Sequence, residues 1–157
     1  MSKRDVFYRE VYQHSDLWLP EEEGERQQTA RRVFGARMVG CIDVGIETAE
    51  RILAEHDEFA EFTDEQKAKI LSLVSHTSYG TLFSQCARWD HFPQADLQIR
   101  VVERDFEGTP LRSTLIAAGS EEELHHHYFD WVDDFGEYYE DNSSTRFALR
   151  KPDSSPS

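Results

Sequence analysis

From about Glu25 to Phe59 the apolar positions Phe34, Met38, Cys41, Ile42, Ala49, Ile52 and Leu53 recur at three and four residues. This is the period of one helix face and predicts a long amphipathic helix. Gly35, Gly40 and Gly45 lie within it. Each costs about 1 kcal/mol relative to Ala, so they predict close approach of another helix or a local break. No strand precedes them, which excludes a phosphate loop. Upstream, residues 5–14 predict a short helix ended by the apolar plug Leu17-Trp18-Leu19-Pro20.

Thr63-Asp64-Glu65-Gln66 has the form of a capping box, in which the hydroxyl and the amide satisfy free N–H groups at a helix start. It predicts a second long helix whose buried stripe is Ile70, Leu71, Val74, Leu82, Phe83 and Cys86. His76-Thr77-Ser78-Tyr79-Gly80 is weak helical material that predicts a division of this helix, and Pro93 closes the helical region. Leu97, Ile99 and Val101 then alternate with Gln98 and Arg100, the period of a strand. Leu111–Ile116 is a second β-prone run, and Asp105-Phe106-Glu107-Gly108 between them reads as a hairpin loop.

A second capping box, Ser120-Glu121-Glu122-Glu123, predicts a last helix from Glu121 to about Glu140. On it Leu124, Tyr128, Trp131, Phe135 and Tyr139 form one stripe, with Val132 and Tyr138 at its edges. Thr145–Arg150 reads as a short third strand. The expected fold is α+β: a layer of two or three helices, a small antiparallel hairpin and an acidic C-terminal helix. Residues 1–150 form a single domain in this reading, and 151–157 a disordered tail.

Charge changes the picture at that last helix. The chain has 31 acids against 17 bases, a formal net charge of -14. Between Arg112 and Arg146, 33 residues contain nine carboxylates, six aromatic residues and no Lys or Arg. Glu122, His126, Asp130, Asp133, Glu137 and Glu140 fall opposite the aromatic stripe as successive neighbours. Like charges at that spacing repel by a few tenths of a kcal/mol per pair, roughly. No base in the segment relieves them, which points to a docking face for a positively charged partner.

A second tract, Met38 to Phe62, holds seven acids, among them Asp43, Glu47 and Glu50, against Arg51 alone. Over Glu122–Glu140 a helix rises about 27 Å, a span in which a duplex presents roughly 16 phosphates. Five carboxylates alone are too sparse to imitate it, so mimicry requires both acidic helices side by side. Arg26, Arg31, Arg32 and Arg37 are the one basic cluster, placed to pair with Glu21–Glu25 or with the acidic helix of a second copy.

The acidic surplus disfavours direct nucleic-acid or anionic-membrane binding. The charged N-terminal residues do not read as a signal peptide, and no window approaches the ~18 apolar residues of a membrane span. A cytoplasmic protein is expected. Cys41 and Cys86 lack metal-type spacing, and the sequence leaves open whether they pair.

His125-His126-His127 cannot converge on one ion from consecutive helical positions, whereas Glu122, His126 and Asp130 share a face as a possible metal set. Among carboxylates these imidazoles are expected to titrate upward. Cys86 with Asp90 and His91 or His76 supplies the residue types of a thiol–imidazole pair, yet it falls on the apolar stripe. No complete catalytic motif or cofactor fingerprint is present, and no catalytic residue or cofactor is assigned.

The leading expectation is an acidic, non-enzymatic binding protein of the immunity, inhibitor, nucleic-acid-mimic or chaperone type. It docks a basic protein through Glu122, Asp130, Asp133, Glu137 and Glu140, joined by Asp43, Glu47 and Glu50. The alternatives are a small metal-dependent or thiol enzyme and a homo-oligomeric structural protein, in the simplest case a homodimer.

Overall fold

The computed structural model describes residues 2–12, 17–91, 98–118 and 123–138. Helix α1 spans Lys3–Val11. Helix α2 runs unbroken over Glu23–Glu55, followed by a single 3₁₀ turn at Asp57–Phe59. Helix α3 spans Asp64–Asp90, strands β1 and β2 span Gln98–Arg104 and Pro110–Ala118, and α4 spans Leu124–Phe135. The fold is therefore α+β with a small antiparallel hairpin, as the hydrophobic pattern predicts.

The capping box at α3 is formed in both directions. Thr63 Oγ1 accepts from the Gln66 N–H at 3.2 Å, and Gln66 Oε1 accepts from the Thr63 N–H at 2.8 Å. Helix α3 is continuous through His76–Gly80, contrary to the expected division. The reason lies at Tyr79, which is buried and hydrogen-bonded to Asp43, so tertiary contacts override weak local propensity.

Trp131, Tyr79, Phe135, Ile46, Leu124 and Val39 are among the most completely buried side chains of the core, which lies where α2, α3 and α4 meet. Gly35 explains how close α2 and α4 come, because a Cβ at that position would lie 2.2 Å from the Trp131 ring. Gly45 has open space in the same test and no such role.

The hairpin packs on the N-terminal half of α2, where Leu19, Ala30 and Ile116 form a smaller buried cluster. A register shift between Ile99 and Arg100 accompanies the burial of both Ile116 and Ala117, adjacent residues that a regular strand would place on opposite faces. At the loop, Asp105 Oδ1 accepts from the N–H groups of Glu107 and Thr109, and Gly108 adopts φ 85°, a left-handed conformation suited to glycine. Leu19 is fixed by a clamp: Glu103 Oε1 accepts from its N–H at 2.8 Å, while Arg112, paired with Glu103, donates to its carbonyl at 2.6 Å.

Helix α4 departs from expectation at its C-terminal end, finishing at Phe135 with Gly136 as its cap, so Glu137 and Tyr138 lie beyond it. At the other end, Glu123 is the N-cap. Glu121, Glu122, Tyr139, Glu140, Leu97, the expected third strand and the tail lie outside the described residues.

Candidate functional site

The two acidic tracts meet, but with different membership from that expected. Asp43 is fully buried and cannot dock anything. It follows Val39 by four residues and precedes Ile46 by three, which places it on the buried stripe of α2. There its carboxylate accepts from Arg4 and from the Tyr79 hydroxyl, with the Glu137 N–H at 3.4 Å. Burial pushes the Tyr79 hydroxyl up to about 12. This hub joins α1, α2, α3 and the segment after α4.

Glu47 and Glu50, one and two turns further along α2, are exposed. Tyr138 stands between the tracts: partial burial first, then the charges of Glu47, Glu50 and Glu137, raise its phenol above the ordinary value. Its carbonyl accepts from Ser75 of α3 at 3.0 Å. Val44, three residues before Glu47, is 57% exposed and adds apolar surface beside the acids. Asp130 and Asp133 are exposed on α4, whereas Glu122 and Glu140 lie outside the described residues.

Bases from other elements relieve the segment that contains none. Arg32 pairs with Asp134 at 3.1 Å while its guanidinium lies over the Phe7 and Phe135 rings. Arg4 Nη2 is 3.8 Å from Glu137, and Lys3 donates to the Asp133 carbonyl at 3.0 Å. The rest of the basic cluster is also engaged within the chain. Arg26 donates to the Glu21 carbonyl, Arg31 to the Ile116 carbonyl, and Arg37 packs over Tyr8 and reaches Tyr12.

A second constellation occupies the junction of α3 and α4. Asp90, the last residue of α3, is buried; its Oδ1 accepts from the Leu124 N–H at 2.7 Å and its Oδ2 from the His125 N–H at 2.9 Å. These are free donors at the start of α4, capped from a different helix. The same Oδ2 is 2.8 Å from His125 Nδ1. His125 Nε2 and His126 Nε2 lie 3.6 and 3.1 Å from Glu123 Oε2. One donor atom each from His91, Glu123 and His125 fall within 4.8 Å of one another.

Of the set expected from helix spacing, Glu122 lies outside the described residues, while His126 and Asp130 are both exposed on α4. His126 turns to Glu123, and His125 with it, because Glu123 sits at the helix start, where neighbouring side chains can reach it. His127 goes elsewhere, stacking on Trp131. It titrates downward, against expectation, through burial and then the nearby Arg31 charge.

Cys86 is fully buried, and burial, followed by the Asp90 charge, pushes its thiol up to about 12. That is the opposite of nucleophile activation, and Asp90 is committed to α4. Cys41 is exposed, and neither cysteine is bridged. Among the described residues no helix is long and apolar enough to cross a membrane. Comparison with protein-family models, curated proteins and solved structures returns no match.

Proposed function

We propose that this chain is an acidic, non-enzymatic binding protein of the cytoplasm that docks a basic protein surface at the Glu47, Glu50 and Glu137 cluster. The observation that carries this reading is the contact of the Glu137 N–H with Asp43, which sets Glu137 and Tyr138 against α2 one turn before Glu47 and so joins two acidic tracts distant in sequence. A half-buried aromatic ring with exposed Val44 nearby supplies the apolar contact such an interface needs, and the acids supply steering and register. Asp130 and Asp133 extend the field along α4. Inhibitor, immunity and chaperone roles all use this surface in the same way. Unbridged cysteines, one of them exposed, fit a reducing compartment.

The test is a paired pull-down from lysate with the wild-type chain and the Glu47→Lys/Glu50→Lys variant as baits, repeated at rising salt. A basic protein retained by the wild type, lost from the variant and released by salt is the expected result. Identical captures by both baits would overturn the reading. For an isolated partner, charge reversal is expected to slow association by about tenfold or more.

A further inference from the structure

We propose that His91, Glu123 and His125 form a binding site for one divalent transition ion of the zinc class, pinning the end of α3 to the start of α4. This inference is independent of the docking surface and uses none of its residues.

The donor set is two imidazoles and one carboxylate, a combination suited to Zn²⁺ with a fourth position left to water. With metal–ligand distances of about 2.0–2.2 Å, tetrahedral donors lie roughly 3.4 Å apart. The 3.6 Å between His125 Nε2 and Glu123 Oε2 is already close to that. His91 is exposed at the C-cap of α3, so bringing its ring in from within 4.8 Å requires side-chain rotation and leaves the core alone.

Asp90 is what separates this cluster from a chance meeting of surface groups. Its carboxylate lies 2.8 Å from His125 Nδ1, an arrangement that favours a proton at Nδ1 and, once an ion displaces any proton from Nε2, presents Nε2 as the ligand on the Glu123 side. A carboxylate–imidazole pair of this kind is the usual outer support of a metal-bound histidine. Asp90 is itself immobilised, being 8% exposed and holding two N–H groups of α4. The imidazole is thus oriented before any ion arrives. The chain's net charge of -14 further favours a cation.

Binding releases any protons held by the donors and forms only coordination bonds. Because the three ligands come from the two sides of the α3–hairpin–α4 connection, an ion bound to the folded state alone raises its stability by mass action.

The experiment uses the full chain, produced without a histidine tag and stripped with a chelator, then titrated with Zn²⁺ in a calorimeter. One equivalent bound, with a raised Tm, is expected. With Co²⁺ as the probe, the visible absorption of a tetrahedral complex should appear at the same stoichiometry. His91→Gln, which leaves the core untouched, should weaken Zn²⁺ binding by at least the roughly 10–100-fold expected for loss of an outer support alone. Asp90→Asn should weaken it by about 10–100-fold. His56→Gln, a histidine at the end of α2, should bind as the wild type does. Absence of a stoichiometric Zn²⁺ site, or equal affinity in the wild type and His91→Gln, would overturn the proposal.

Discussion

Asp43 and Asp90 are both withdrawn from solvent, on neighbouring helices of one core, and are satisfied by different kinds of partner. Asp43 meets a guanidinium and a phenol and receives a further N–H from beyond α4. Asp90 meets two backbone N–H groups and an imidazole whose second nitrogen faces another carboxylate. The first arrangement closes on itself, and every group in it is used for cohesion. The second ends in donor atoms that point onward. Burial alone therefore does not distinguish a structural acid from one that prepares a site; what its partners do with their remaining valence does.

The largest effect is expected at the closed hub. Asp43→Ala leaves Arg4, 13% exposed, without its buried partner, and loss of one member of such a pair costs about 3–5 kcal/mol. Urea denaturation at neutral pH measures this. A loss below about 1 kcal/mol would show that Arg4 finds adequate compensation at Glu137 and the Phe135 carbonyl, and that the hub is looser than described.

Alkaline pH separates the two regions by onset. Cys86 lies one turn before Asp90 and is raised from 9.0 to about 12; Tyr79 touches Asp43 and is raised from 10.0 to about 12. For each, the folded pKa exceeds the unfolded value. The stability each contributes is therefore complete below the unfolded pKa and is lost as pH rises toward the folded one. Stability should fall from about pH 9 through Cys86 and more steeply above about pH 10 as Tyr79 joins, by about 2–4 kcal/mol for each group near pH 12. In Cys86→Ala the onset should move to about pH 10, read from urea midpoints across pH 8–11. An unshifted onset would remove Cys86 from the account.

The same contrast explains what could be read from the chain. The α3 cap was legible because both partners lie within four residues, whereas the glycines of α2 left close approach and a local break equally open, and only the packing of Trp131 selects close approach at Gly35. Burial of Asp43 had a signal in its spacing from Val39 and Ile46, but a count of acids hides it by treating every carboxylate as outward. The end of α4 was misread because the aromatic period runs on past Gly136 into Tyr138. The α3–α4 junction had almost no local signature. Leu124 and His125 are capped by a residue 34 and 35 positions away, and spacing rules reach only one or two turns.

Asp90→Asn should cost less than loss of Asp43, about 1–3 kcal/mol, because an amide oxygen still accepts one N–H while the charge and the second acceptor are lost. The diagnostic readout is the His125 imidazole by NMR. Loss of the carboxylate beside Nδ1 should change the balance of its tautomers, whereas Asp43→Asn should leave that resonance as it is. If both variants disturb His125 equally, the two regions are one cooperative unit and the distinction between them fails.

The smallest effect on stability is expected at Glu47 and Glu50, and that smallness carries the functional argument. Both are exposed, and after partial burial their charges, with that of Glu137, raise the Tyr138 phenol. Reversing them to Lys removes repulsion and breaks no buried contact, so urea stability should change by no more than about 0.5 kcal/mol in either direction. The Tyr138 phenol should meanwhile titrate lower than in the wild type, because two of the charges that raise it have changed sign. A side chain retained for folding would show the reverse pattern, a stability loss with little change in the field. If the reversal destabilises the chain by more than about 1 kcal/mol, these acids belong with Asp43 as structural groups, and the docking surface loses its centre.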